Sequence, residues 1–385
     1  MELLEYLKRM EKIQEKLIEF IESEDQEIDF TDNVKNLLIQ ENIKFELKEF
    51  LHLTLEISNN YHHKTNLYNK IEQVLSIFKS EIQNYYSNLE IFTIFQNNKR
   101  ILLFFFEEKI IIPEKAIYNI IKNNKYLQYF YPEFKSFLNE SEIQNLREIR
   151  NLCENDFDMF EKKRKIGEND LHICYLIRND LVQDFVSFVN MSNYPLKSKI
   201  NQSFYETNSF LISRCPSLIE YSAFYGSIQI FKYLMMNNVP LTESLWIYAI
   251  HSNNQELFHV LEENKIKMDK KICKKCIYES IKCHHNDFTN YIKENLLSKE
   301  QSEEDLNDLL NSLNDDLVQE ESYDEFDMFG KCLKYFNYSY FNPDFINDSL
   351  LYKLCKYDYC NIVKILMKSN HFNVNTIKII NVSYL

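Results

Sequence analysis

Ser222-Ala-Phe-Tyr-Gly226-Ser-Ile-Gln-Ile-Phe-Lys-Tyr-Leu234 decides how this chain folds. Small residues close one short helical pattern and Gly226 supplies a sharp turn. Ile230, Phe231, Tyr233 and Leu234 then set a second apolar stripe at helical spacing. Tyr248-Ala-Ile-His-Ser-Asn253-Asn-Gln-Glu-Leu-Phe-His-Val-Leu261 repeats the arrangement with Asn253 at the turn. A looser copy turns around Asn286, and an earlier one turns at Asn179-Asp180. From Gly167 to Leu297, therefore, short helix pairs alternate with polar turns at intervals of about 30 residues, a period typical of helical repeats. A single pair exposes an apolar face that it cannot bury alone, and stacking pairs buries these faces in one continuous core. Ala223, Ile230, Leu234, Ala249, Leu257 and Leu261 fall on the faces between pairs and are expected to be buried. Each large side chain among them contributes about 1.5–3 kcal/mol on burial.

Composition points the same way. The chain has 385 residues, 45% of them apolar, and only three glycines, Gly167, Gly226 and Gly330. Average usage of about 7% would supply roughly 27. Phosphate loops, dinucleotide folds and nucleophile elbows need several glycines for close backbone approach or positive φ, and β-rich folds need them at turns. Few glycines and six prolines leave helices as the outcome, so the fold class expected is all-α. The formal charge of −14 opposes general binding to nucleic acid or anionic membrane, which relies on Lys and Arg neutralising phosphates. No apolar run approaches the ~18 residues of a membrane span. The start, Met1 to Met10, is charged and amphipathic, unlike a secretory leader. Nine scattered cysteines suit reduced thiols, so the expectation is a cytoplasmic protein, with the nucleus open as an alternative.

Outward from the repeats, residues 1–160 read as a helical N-terminal region. Leu3, Leu4, Leu7, Met10, Ile13, Leu17 and Ile21 form one stripe. Further patterns run over 34–38, 45–57, 67–78 and 82–92, followed by a short pair about Asn97-Asn98-Lys99. Pro113 and Pro132 stand where helices begin, because a first-turn N–H has no intrahelical partner to lose. Residues 161–297 carry the degenerate repeats. Residues 298–328 form an acidic linker with a dozen acids, and Ser302 to Asp316 is expected to be exposed. Residues 329–385 hold one more pair, Ser349 to Met367. After Asn375 the apolar Thr376–Leu385 lacks a charged capping face, which suggests an open edge or a truncated array.

That last pair resembles an ankyrin repeat. Leu351-Tyr352 stand at the family's L-H, Leu354-Cys355 at A-A, Asp358-Tyr359 at the turn, and Ile362, Val363, Ile365 and Leu366 at the second-helix core. In the Gly226 unit, Ser217 takes the threonine position and Ser222-Ala223 the A-A pair. The wording from Asn169 to Leu297 is similar to the degenerate ankyrin-repeat proteins of parabasalid protists (trichomonads). The resemblance covers less than half of the chain, no unit keeps T-P-L-H intact, and only one keeps the turn glycine. It implies an α-solenoid of stacked helix–turn–helix units. The outward residues of its first helices would be Tyr221, Phe224, Tyr225, Tyr248, His251, Lys353, Lys356 and Tyr357.

Chemistry-bearing constellations are few. Cys273-x-x-Cys276 followed by Cys283-His284-His285 has ligand types that suit zinc, but its spacing fits no usual zinc module, and a one-turn separation suits two small core residues equally. Lys265, Lys267, Lys270, Lys271, Lys274 and Lys275 form a basic run. Most of it falls on one helix face, as a solvated face or a nucleic-acid contact would. Trp246, the only tryptophan, begins a repeat helix and suits packing better than recognition. The histidines show no partner pattern for a catalytic dyad. The reading is a non-enzymatic scaffold or adaptor that binds another protein, with no catalytic, cofactor-binding or metal-binding residues assigned. The alternatives are an enzyme or effector activity in the N-terminal helices, and weak nucleic-acid binding through Lys265–Lys275.

Overall fold

The computed structural model describes residues 2–23, 30–38, 43–62, 66–297, 328–341 and 351–368. All regular structure among them is helical, with one isolated antiparallel bridge, Lys199 to Ser217. The chain divides into two compact units, one of Met1–Lys64 with Lys267–Leu385 and one of Thr65–Ile266. The helices expected together in 1–160 are therefore shared between the two. Ser302–Asp316 and Thr376–Leu385 lie outside the described residues.

The first unit opens with α1 (Glu2–Glu22), α2 (Phe30–Leu37) and α3 (Ile43–Asn60). The second runs through α4 (Leu67–Ile77), α5 (Lys79–Tyr85), α6 (Asn88–Phe95), α7 (Lys99–Glu107), α8 (Lys115–Asn123), α9 (Tyr131–Phe134), α10 (Glu140–Asn145), α11 (Arg147–Asn155) and α12 (Phe157–Ile166). It continues with α13 (His172–Arg178), α14 (Val182–Ser192), α15 (Ser209–Arg214), α16 (Leu218–Tyr225), α17 (Ile228–Met236), α18 (Leu245–Ser252) and α19 (Gln255–Glu263). The chain then returns to the first unit with α20 (Lys270–Lys282), α21 (Asn286–Tyr291), α22 (Met328–Lys334), α23 (Leu351–Lys356) and α24 (Cys360–Lys368).

Local chemistry sets these boundaries. Ser217 and Glu220 close a capping box at the start of α16, where the Glu220 carboxylate accepts from the Ser217 N–H at 2.9 Å. Asn254 and Asp269 accept from the third N–H of α19 and α20 at 3.2 and 2.8 Å. One expected helix, 82–92, is instead two, because Ser87 forms a capping box with Glu90 and starts α6 afresh.

Three helix pairs, α13/α14, α16/α17 and α18/α19, lie side by side in the second unit. First helices pack in the series α13, α16, α18, and α14 packs on α17. The six residues expected between pairs are all fully buried. Every turn inside a pair contains a residue in the left-handed region: Asp180 (φ 48), Gly226 (φ 67) and Asn253 (φ 51) here, and His284 (φ 55) and Asp358 (φ 64) in the α20/α21 and α23/α24 pairs. The looser copy therefore turns at His284, two residues before the expected Asn286, which instead begins α21. Four of these turns carry the six-to-one backbone bond of a Schellman motif: Leu181 N–H to Leu176 O, Ser227 to Ser222, His285 to Ser280 and Tyr359 to Leu354, at 2.9–3.0 Å. The geometry that glycine usually provides is thus made by Asp, Asn and His. Gly226 could not be replaced freely, because a Cβ there would stand 3.2 Å from the Ser252 Cβ of the next pair.

Side-chain bonds tie one pair to the next. The Asp180 carboxylate accepts from the Gln229 and Ile230 N–H groups at 3.0 and 2.9 Å, so the turn of one pair caps the second helix of the following one. Ser227 Oγ donates to Ile177 O at 2.5 Å, and Asn254 Nδ2 to Gly226 O at 3.2 Å.

Candidate functional site

The 193–217 connector between α14 and α16 is far longer than the other connectors of the stack, and it determines what the first-helix face can do. Ile200 N–H donates to Pro216 O at 2.8 Å and Leu218 N–H to Ser198 O at 3.3 Å, closing the loop at its base. Asn208 caps α15 by accepting from Phe210 and Leu211 N–H. Phe210 then lies against Phe224 (ring centroids 5.5 Å apart), Tyr248 (5.1 Å) and His251 (4.1 Å). Tyr221, Phe224, Tyr248 and His251, expected to point outward, are consequently buried. The expectation held for the helices but not for their environment, because the chain itself covers that face. Tyr225, Lys353 and Tyr357 are half-buried and Lys356 is exposed.

Under the same connector lies a cavity of 390 Å³. Its ionisable groups Lys99 and Glu206 are buried, about 5% and 4% exposed. Lys99 is the first residue of α7, which Asn98 caps by accepting from Ile101 N–H at 2.9 Å. Its Nζ donates to Phe204 O at 2.8 Å and lies 5.0 and 5.5 Å from the ring centres of Tyr129 and Tyr126. No described carboxylate reaches ion-pair distance of it, and burial lowers its ammonium to about 8 despite the field of Glu206. Glu206 accepts from Asn208 N–H at 2.9 Å and Asn169 N–H at 3.2 Å, and burial pushes its carboxyl up to about 7. Asn169 Nδ2 donates to Asn201 O, and Thr207 donates to Gly167 O through both its N–H and its hydroxyl, which pins the connector to the loop before α13. Ile200, Leu211, Ile212 and Pro216 add apolar wall. Nothing in the sequence singles out Lys99 or Glu206. Their meeting depends on a contact 105 residues apart in the chain.

The first unit holds a second polar centre. Glu49 on α3 is fully buried, and its carboxyl receives Tyr6 Oη at 2.6 Å, Tyr338 Oη at 3.3 Å and Asn361 N–H at 3.2 Å. Burial pushes it up to about 8. Gln14 extends the network by accepting from Tyr338 N–H at 2.7 Å.

The other sequence candidates take ordinary positions. Cys273, Cys276 and Cys283 are buried, and burial raises the thiols of Cys276 and Cys283 well above their usual value. His284 Nε2–H donates to the Tyr335 backbone oxygen at 3.1 Å, and burial lowers the imidazole to about 4, while His285 packs on the Tyr61 ring. Among the described residues, Cys273, Cys276, Cys283, His284 and His285 do not gather three ligand atoms around one point. Lys265, Lys267, Lys271 and Lys275 are exposed and Lys274 is half-buried. Trp246 is buried and packs on Phe258. No helix among the described residues is long and apolar enough to cross a membrane. No family model, curated protein or solved structure matches this chain.

Proposed function

We propose that the chain is a non-catalytic protein-binding module, a stack of ankyrin-like helix pairs whose first-helix face receives a partner segment anchored by an aromatic side chain. One observation carries this reading: that face already holds a short helix of its own chain through Phe210, seated among Phe224, Tyr248 and His251. A central buried aromatic anchor ringed by near-neutral contacts is how helical partners dock in apolar grooves. The resemblance of the Gly226 and Asp358 units to ankyrin repeats supports the same reading, and the nine free cysteines suit the intracellular setting it implies. The 193–217 connector then acts as a built-in occupant.

A labelled peptide of residues 203–216 tests the idea against the full chain and its Phe210→Ala variant. The peptide should bind the variant and bind wild type about tenfold more weakly, a difference of about 1.4 kcal/mol. A folded variant that captures neither this peptide nor any aromatic-containing peptide from a displayed library would sink the reading.

A further inference from the structure

We propose that the cavity beneath the connector is a binding site for a small organic acid, whose carboxylate pairs with Lys99 and whose apolar body lies against Ile200, Leu211 and Ile212. The volume of 390 Å³ falls within the range of small-ligand pockets, about 300–1,000 Å³. An ammonium carries three donors, and among the described residues the one acceptor bonded to Lys99 Nζ is Phe204 O. A lysine only about 5% exposed, with no carboxylate at ion-pair distance among the described residues, is costly to keep charged, and a ligand carboxylate supplies both the missing charge and the missing acceptors. The Tyr126 and Tyr129 rings flank the ammonium, and all three residues line the cavity.

The rest of the lining fits an acid with an apolar body better than a bare inorganic anion. Glu206, the sole carboxyl in the wall, already accepts two backbone N–H bonds, and burial, which pushes it up to about 7, leaves it only about half charged at neutral pH. Ile200, Leu211, Ile212 and Pro216 give an acid's apolar body contacts that phosphate would not use, beside a polar lining that includes Lys125, Gln128 and Gln202. This inference does not rest on the peptide-binding reading, although the two share the connector, whose residues form much of the cavity wall.

Calorimetric titration of the full chain with 3-phenylpropionate, hexanoate, 3-phenylpropanol and inorganic phosphate tests it. At least one of the two acids should bind one per chain, with the alcohol and phosphate weaker by about tenfold or more, about 1.4 kcal/mol. Lys99→Met should abolish acid binding while circular dichroism stays helical. Should that variant fail to fold, Ile212→Trp, which fills the chamber from its half-buried wall and leaves the lysine in place, should block the acids equally. Acid and alcohol binding alike, phosphate binding as well as the acids, unchanged acid binding in Ile212→Trp, or no acid binding at about 10 mM, the weak end of specific recognition, would each overturn the assignment.

Discussion

Single residues carry an unusual share of the strain in this molecule. Asn253 sits at φ 51 on the exposed turn between α18 and α19, where glycine would rest without a Cβ penalty. Asn253→Gly is expected to raise stability by about 0.5–1 kcal/mol in denaturant unfolding; a loss would mean the Asn side chain does more than occupy the turn. Buried carboxyls give a second residue-scale prediction. The folded chain holds Glu49 protonated up to about 8, whereas an unfolded glutamate gives up its proton near 4.3. The folded state binds more protons across that window, so stability falls as pH rises from about 5 to about 8. Glu49→Gln should flatten this slope by close to one proton, about 1.4 kcal/mol per pH unit, leaving what Glu56 and Glu206, each raised to about 7, still contribute. Thermal melts across pH 5–8 that keep the wild-type slope in Glu49→Gln would refute it. The sequence announced Ala223 and Leu257 through their period, but not Glu49 or Lys99. Period reports which residues share a face, and a buried charge is defined by what comes to meet it.

At the scale of elements, the helix pairs were legible and their environment was not. The turn at Gly226 and its Asn253 copy follow from local chemistry, because a capping box and a left-handed residue act within a few positions. Coupling between pairs is less local. Asp180 caps α17 across some fifty positions of sequence. Asp180→Ala should therefore cost about 1–2 kcal/mol, with hydrogen exchange quickening first at the Gln229 and Ile230 amides; protection lost only within α13 and α14 would show that the contact between pairs is idle. The placement of α15 escaped the sequence for a related reason. Only the aromatic cluster around Phe210 reveals where its six residues rest.

The whole molecule departs most from its linear order. Residues 1–64 pack with the chain beyond 267, as Gln14 with Tyr338 and Glu49 with Asn361 show within that unit. Amphipathic stripes on α1 and α3 were plain in the sequence, but a stripe does not name its partner. A chain ending at Ile266 should keep Thr65–Ile266 protected from hydrogen exchange while 2–62 loses protection. Full protection of α1 in that truncation would contradict the division.

The connector that closes on itself between Ser198 and Leu218 also fixes a threshold. A segment tethered at both ends meets its own site at an effective concentration on the order of millimolar. A competitor present at about micromolar levels must then bind the same face roughly a thousandfold more tightly than the segment does to displace half of it. On the proposed binding role, weak encounters at micromolar levels are filtered out, and a scarce ligand registers only when it is well matched.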